Sequence, residues 1–307
     1  MKSFTIGTRI SQLALWQTNH VIQQLQIAWP GLVCEKQSFV TQGDKTLDKP
    51  LPQIGGKGLF TAELEESLRN GRIDLAIHSL KDLPVEDALG LTLGAIIGRA
   101  DVRDVLITRE GWTLNTLPQG AIVGTSSPRR QTQLLHARPD LQVQSIRGNV
   151  ETRIRKVLDG DYHATVLAAA GVTRLNLLQH VSEWLPLTMM LPAPGQGALG
   201  VQCRADDAET LRLLAAISQP EIRTAVTAER SFLYHLGGGC AVPVAAHATW
   251  QDERLVLDGF VGSPDGQRRV RIQSEGSSDD PWALGASLAE QARQLGAAEI
   301  LSHASVQ

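Results

Sequence analysis

The feature that most restricts how this chain folds is an order of segments that occurs twice. Phe4–Gly7 reads as a strand, Ser11–Ile27 as a helix with Leu15, Ile22 and Leu25 on its apolar face, and Pro30-Gly31 ends that unit before a strand over Leu32–Val40. A helix from Leu59 to Asn70 and a short buried strand at Leu75–Ile77 complete the half. From Ala121 the order returns. Ile122–Thr125 is a strand, Ser126-Ser127-Pro128 supplies an N-cap and a helix-starting proline, and that helix runs to Ala137. Gln142–Ile146 is the next strand, Arg147-Gly148-Asn149 opens a helix through Leu158, and Thr165–Leu167 is the second buried strand. The punctuation repeats as well: Pro139-Asp140-Leu141 matches Pro30-Gly31-Leu32, and Asp159-Gly160-Asp161 matches Asn70-Gly71-Arg72. Two βαβαβ halves of one design are the simplest account, which makes the fold class α/β.

Two such lobes with ligand held at facing strand ends look like the bilobed, periplasmic-binding-protein-like fold, with a cleft between the lobes. After Pro192-Ala193-Pro194-Gly195-Gln196-Gly197 the chain is expected to cross back to the first lobe, giving two crossings and a hinge. From Glu221 the pattern changes to a helix (Glu221–Leu236), a glycine triplet, strands around the turn Ser263-Pro264-Asp265-Gly266 and a final helix over Trp282–Leu295. This predicts a smaller C-terminal α+β domain. The expected boundaries are residues 1–98 with 198–217, residues 99–197, and residues 218–307. Thr41–Gly58, rich in Gly, Pro and Lys, fits no periodic template and is expected to be a mobile connection.

At 307 residues with 42% apolar content the chain can bury several cores. A formal net charge of -3 without polybasic runs argues against nucleic-acid binding, and no apolar stretch is long enough to span a bilayer. The start of the sequence lacks a signal-peptide core, so a cytoplasmic protein is expected. The three cysteines, Cys34, Cys203 and Cys240, are odd in number and far apart, which suits a reducing compartment and offers no metal-ligand spacing. Nothing marks an apolar interface, so the expectation is a monomer.

Three groups of residues carry chemistry. Ile73–Pro84 places Ser79, Lys81 and Asp82 behind the buried strand, where Pro84 blocks a helix and the segment from His78 to Asp82 is expected to be a loop. A hydroxyl, an ammonium and a carboxylate there suit the floor of a pocket for a charged substrate; the alternative is a solvated turn. The second group is basic. Between Ala121 and Gly160 seven Lys or Arg stand against three acids. Arg9, Arg129, Arg130, Arg147 and Arg153 fall just after strands or in first helical turns, where free backbone N–H groups already favour anions. Arginine forks grip carboxylates at two points, so a small polyanion is the expected ligand. Arg138, Arg155 and Lys156 are expected at the surface. Gly55-Gly56-Lys57-Gly58 lacks the spacing of a nucleotide phosphate loop. The third group is Cys240, after Gly237-Gly238-Gly239, a candidate covalent attachment point or a structural cysteine; Cys34 and Cys203 read as inert core residues.

Five motifs in this order resemble the porphobilinogen deaminase family over essentially the whole chain. They are Ala76-Ile77-His78-Ser79-Leu80-Lys81-Asp82-Leu83-Pro84, Gly124-Thr125-Ser126-Ser127 with Arg129-Arg130, Arg147-Gly148-Asn149, Pro194-Gly195-Gln196-Gly197-Ala198 and Gly238-Gly239-Cys240. The resemblance implies a transferase that joins four porphobilinogen molecules head to tail into hydroxymethylbilane with loss of ammonia, on a dipyrromethane cofactor attached to Cys240 through a thioether. It implies Asp82 as the catalytic carboxylate, beside the cation left when ammonia departs. At ~4 Å and an effective dielectric of ~20 that attraction is ~4 kcal/mol, roughly a thousandfold in rate. It further implies Lys81, Asp82, Thr125, Ser126, Ser127, Arg129, Arg130 and Gly148 around the cofactor. Arg9, Ser11, Lys57, Ser79, Arg147, Arg153, Arg174 and Gln196 are implied around porphobilinogen and the growing oligopyrrole. Gln12, Gln53, Pro128, Gly237 and Ala241 depart from the family's usual residues without removing any of these groups. The rival expectation is a small-anion-binding protein of the bilobed fold without catalysis.

Overall fold

The computed structural model describes residues 3–45, 58–59, 61–238 and 242–304. The chain starts one sheet with β1 (Ser3–Arg9), β2 (Val33–Phe39), β3 (Leu75–Ser79) and β4 (Leu91–Arg99). It then builds a second from β5 (Asp104–Thr108), β6 (Ile122–Gly124), β7 (Gln142–Gln144), β8 (Ala164–Ala168) and β9 (Glu183–Trp184), and returns to the first in β10 (Ala198–Arg204). The strand orders are β2-β1-β3-β10-β4 and β7-β6-β8-β5-β9. β1 runs parallel to β2 and β3, as β6 does to β7 and β8, while β10 and β5 are antiparallel to their neighbours. Each lobe is therefore the expected three-strand βαβαβ half plus two further strands, the nearer of them antiparallel to the half and contributed where the chain crosses. The periodicity within a half carries no sign of that strand, because its partners lie on the far side of the crossing.

The chain divides into two compact units, one holding Gly197–Arg223 with the described residues before Asp101, the other Asp101–Gln196 with the described residues from Thr224 onward. In the first unit apolar residues cover both faces of the sheet. Ile6, Val21, Leu25, Ile77, Val201 and Leu214 pack on one side, and Leu64, Leu68, Ile73, Ala76 and Leu91 on the other. The helix Gln12–Ala28 buries Ala14, Gln17, Thr18, Val21 and Leu25, whereas Leu15 is half-exposed. The apolar face is thus rotated from the expected one. Its two polar members are compensated, since Gln17 donates to Ser79 Oγ at 2.7 Å and Thr18 to Thr8 Oγ1 at 2.8 Å. The helix expected from Leu59 starts later, at Ala62–Arg69, because Gly58 has a left-handed backbone (φ +93°) and turns the chain first. Inside the Thr41–Gly58 connection Gln42–Lys45 forms one helical turn; Gln53 and the neighbouring residues lie outside the described ones.

The second unit holds the second α/β lobe and the C-terminal domain. In the latter, β11 (Val244–Gln251), β12 (Arg254–Gly262) and β13 (Arg269–Ser277) form an antiparallel meander. The helices Pro220–His235, Pro281–Gln294 and Ala297–Ala304 pack around fully buried Phe232, Leu257 and Leu288. The last of these helices was not expected, since Gly296 interrupts the apolar pattern. Gly285 lets two helices touch: a Cβ there would stand 2.4 Å from Ala228 O. The turn between β12 and β13 docks on the helix Pro128–Ala137, where Gln131 donates to Pro264 O at 3.1 Å and Thr132 to Ser263 O.

Candidate functional site

Most of the expected site residues that are described stand just past the carboxyl ends of the parallel strands of each lobe. In the first lobe, β1 and β3 lie side by side with Gly7 opposite Ala76, so Arg9 and Ser79 end neighbouring strands. Ser11 caps the following helix, its hydroxyl accepting from Ala14 N at 3.3 Å. Behind β3 a single tight turn, Leu80–Asp82, ends at Leu83-Pro84. His78 is not in a loop as expected: it lies within β3 and is 6% exposed. Burial, with the charge of Arg9, drives its imidazole down to about 4 against the opposing hydrogen bond of Gln202, so it is neutral at physiological pH. Lys81 is half-buried and Asp82 is exposed.

In the second lobe, Thr125 follows β6 and is buried, and Ser127 N donates to its hydroxyl at 3.2 Å. Ser126 Oγ donates to Ile146 O at 2.8 Å, tying the ends of β6 and β7 together. Ser127 caps the helix Pro128–Ala137, with Pro128 in its first turn, where a missing N–H costs no helical hydrogen bond. Arg129 and Arg130 are 4% and 6% exposed, and their guanidinium groups turn inward to Asp104, itself 0% exposed. Arg129 Nη1 meets Asp104 Oδ2, and Arg130 Nη2 meets Oδ1, each at 2.8 Å. Burial lowers the Arg129 guanidinium and the Asp104 charge opposes it. Asp104 was missed by sequence reasoning, being a lone acid before an apolar run with no local signal.

Three further arginines stand near helix ends. Burial lowers the half-buried Arg147. Arg153 donates to Gly148 O at 2.8 Å, beside the cap that Asn149 gives Val150–Leu158. Gly148 needs to be glycine, with φ +118° and Thr152 2.6 Å from where a Cβ would stand. Arg174 ends the helix Ala169–Arg174, and burial brings it down to about 10, still charged at neutral pH. Gln196 is buried, its Nε2 donating to Val102 O at 2.7 Å and Asp104 Oδ1 at 3.0 Å. Arg138 corrects the sequence reading. It is no loose surface residue but a staple, bound through Nε and Nη2 to Asp140 at 2.7 Å each and donating to Leu114 O and Leu117 O.

Cys203 is buried, with its thiol pushed up to about 11, and burial also raises Cys34, so neither is a ready thiolate. Cys240, Lys57, Gly239 and Ala241 lie outside the described residues; Gly237 and Gly238, which lead to them, both have left-handed backbone. Among the described residues there is no group of three or more His, Cys, Asp or Glu able to hold a metal, and no helix long and apolar enough to cross a membrane.

A family model for the porphobilinogen deaminase dipyromethane cofactor binding domain matches residues 4–212, and one for the porphobilinogen deaminase C-terminal domain matches residues 223–294. The porphobilinogen deaminase of Brevibacillus brevis is 49% identical over 303 residues, 98% of this chain and 97% of its own length. That of Roseiflexus castenholzii is 50% identical over 300 residues, 98% of this chain and 99% of its own. That of Moorella thermoacetica is 50% identical over 307 residues, 100% of this chain and 98% of its own. On this near-complete similarity, the chain belongs to the porphobilinogen deaminase family.

Proposed function

We propose that this chain is the transferase that joins four porphobilinogen molecules head to tail into hydroxymethylbilane, a hydroxymethylbilane synthase releasing one ammonia at each condensation. The observation that carries the reading is the near-full-length identity of about half to porphobilinogen deaminases. The working form is read as a cytoplasmic monomer of three domains, residues 1–98 with 198–217, 99–197 and 218–307.

The resident group of the family is a dipyrromethane, assigned here to a thioether on Cys240. The chemistry of the second lobe fits its carboxylates. Arg129, Arg130 and Asp104 together carry one surplus positive charge away from water, and Arg130 Nε has no hydrogen-bond partner among the described residues. When bound, the group supplies a free pyrrole α-carbon to which the next ring is joined. Lys81, Thr125, Ser126, Ser127, Arg129, Arg130 and Gly148 are assigned to holding it. Arg9, Ser11, Ser79, Arg147, Arg153, Arg174 and Lys57 are assigned to porphobilinogen and the growing oligopyrrole, whereas Gln196, which the resemblance also implies there, is buried with its amide turned onto Val102 O and Asp104 Oδ1 and is assigned to bracing Asp104. Burial leaves Arg147 and Arg174 poorly hydrated, which strengthens a two-point grip on a carboxylate.

Asp82 is assigned the chemistry. Its carboxylate stabilises the positive charge that appears as ammonia leaves porphobilinogen, and it carries the proton lost when the pyrrole is restored. Its exposure leaves it open to a ring arriving from solvent. Incubating the purified chain with porphobilinogen tests the proposal: four ammonia released per linear tetrapyrrole is the expected stoichiometry. Saturable binding with no ammonia released would instead fit a small-anion-binding protein of the same fold.

A further inference from the structure

Asp104 opens β5 and has no exposure to water. Besides the two guanidinium groups it accepts from Gln196 Nε2 at 3.0 Å. Each guanidinium has a second anchor, Arg129 Nη1 on Leu191 O at 2.8 Å and Arg130 Nη1 on Val166 O at 2.9 Å. A planar fork held by acceptors at two separate points of the fold has little freedom to swing. The brace on Asp104 is held in turn. Gln196 also reaches Val102 O at 2.7 Å, and the preceding Gly195 N donates at 2.7 Å to Glu229 Oε2. Glu229 is 0% exposed, and its other oxygen accepts from Ala248 N at 2.8 Å. It sits on the helix Pro220–His235, the element that precedes the Gly237-Gly238 turn and, in sequence, Cys240. Buried hydrogen bonds therefore run from that helix to the arginine pair.

We infer that Asp104, braced by Gln196, is a positioning residue for the condensation: it fixes the guanidinium groups of Arg129 and Arg130 and so sets where the carboxylates of the covalently held dipyrrole lie. The role rests on the proposed function and concerns the held group, not the incoming ring. It therefore governs the rate of the step and leaves the apparent affinity for porphobilinogen alone.

The test compares Asp104→Asn, Gln196→Leu and wild-type protein, each saturated with porphobilinogen and counted for primed molecules by intact mass. The readouts are kcat and KM per primed molecule, with a thermal melt alongside. Asp104→Asn keeps the shape but removes the charge, and kcat is expected to fall at least about tenfold with KM within about threefold. Gln196→Leu keeps every charge and loosens the brace; kcat is expected to fall about threefold with KM unchanged. If Asp104→Asn does not fold, the Gln196→Leu values decide. A merely structural Asp104 would lower the melting temperature and the primed yield while kcat per primed molecule stayed at the wild-type value, which would overturn the role. A loss confined to KM would overturn it too. Wild-type turnover with both variants unchanged contradicts this role alone; a wild-type protein that takes no dipyrrole and turns nothing over contradicts the proposed function and the role with it.

Discussion

The two lobes share a strand order but finish their matching strands differently, and each finish gives a carboxylate a different task. Behind β3, Pro84 allows one tight turn, and Asp82 is left exposed at its end. Behind β8 no proline intervenes, and the helix Ala169–Arg174 follows directly. The buried carboxylate of that lobe, Asp104, enters on the antiparallel strand and is occupied by Arg129, Arg130 and Gln196. An exposed carboxylate with few internal ties is open to a ligand's charge, whereas a carboxylate with three buried donors serves the protein's own side chains. A repeated frame thus supplies strand ends of like geometry, and short local differences decide which end reacts and which holds.

The sharpest way to break that contrast is Asp82→Asn. Chemistry at Asp82 predicts kcat lower by roughly a thousandfold, about 4 kcal/mol, with the melting temperature and primer content unchanged. A loss of only about fivefold would mean that water still screens the carboxylate in the complex, the value expected at bulk dielectric. Next comes acid stability. His78 is neutral when folded, with its pKa lowered to about 4, while an unfolded histidine takes a proton near 6.5, so the unfolded state binds more protons between those values. Its contribution is complete above pH 6.5 and is lost as the pH falls towards about 4, by about 3 kcal/mol in total. Melts of wild type and His78→Asn across that window are expected to differ in slope by about one proton, and equal slopes would contradict the buried neutral imidazole. The smallest of these three effects is that of Arg147→Ala. Losing one charge-assisted carboxylate contact worth about 1.5–3 kcal/mol raises KM about 10- to 100-fold with kcat little changed. That is the reverse of the pattern expected for Asp104→Asn, so the pair of variants separates substrate grip from primer placement.

Much of this frame was legible in the chain itself. Ser11, Ser127 and Asn149 act as helix caps where sequence placed helix starts, and the two buried strands recur where the repeat requires them. What escaped was long-range. β5 and β10 are antiparallel insertions across a crossing, and no local pattern announces the partner of such a strand. Asp104 escaped for the same reason, its arginines lying 25 and 26 residues further on. His78 and Arg138 were misplaced because polar residues read as surface until their hydrogen bonds are known. The motif residues gave chemistry by type, yet only the fold separates the inward-turned Arg129 and Arg130 from the exposed Asp82.

The measurement that bears most directly on the central claim is the intact mass of the denatured protein after incubation with porphobilinogen. The account predicts a surplus equal to two linked pyrroles, mapped by digestion to the peptide that carries Cys240. A mass equal to that of the bare chain after incubation would contradict it.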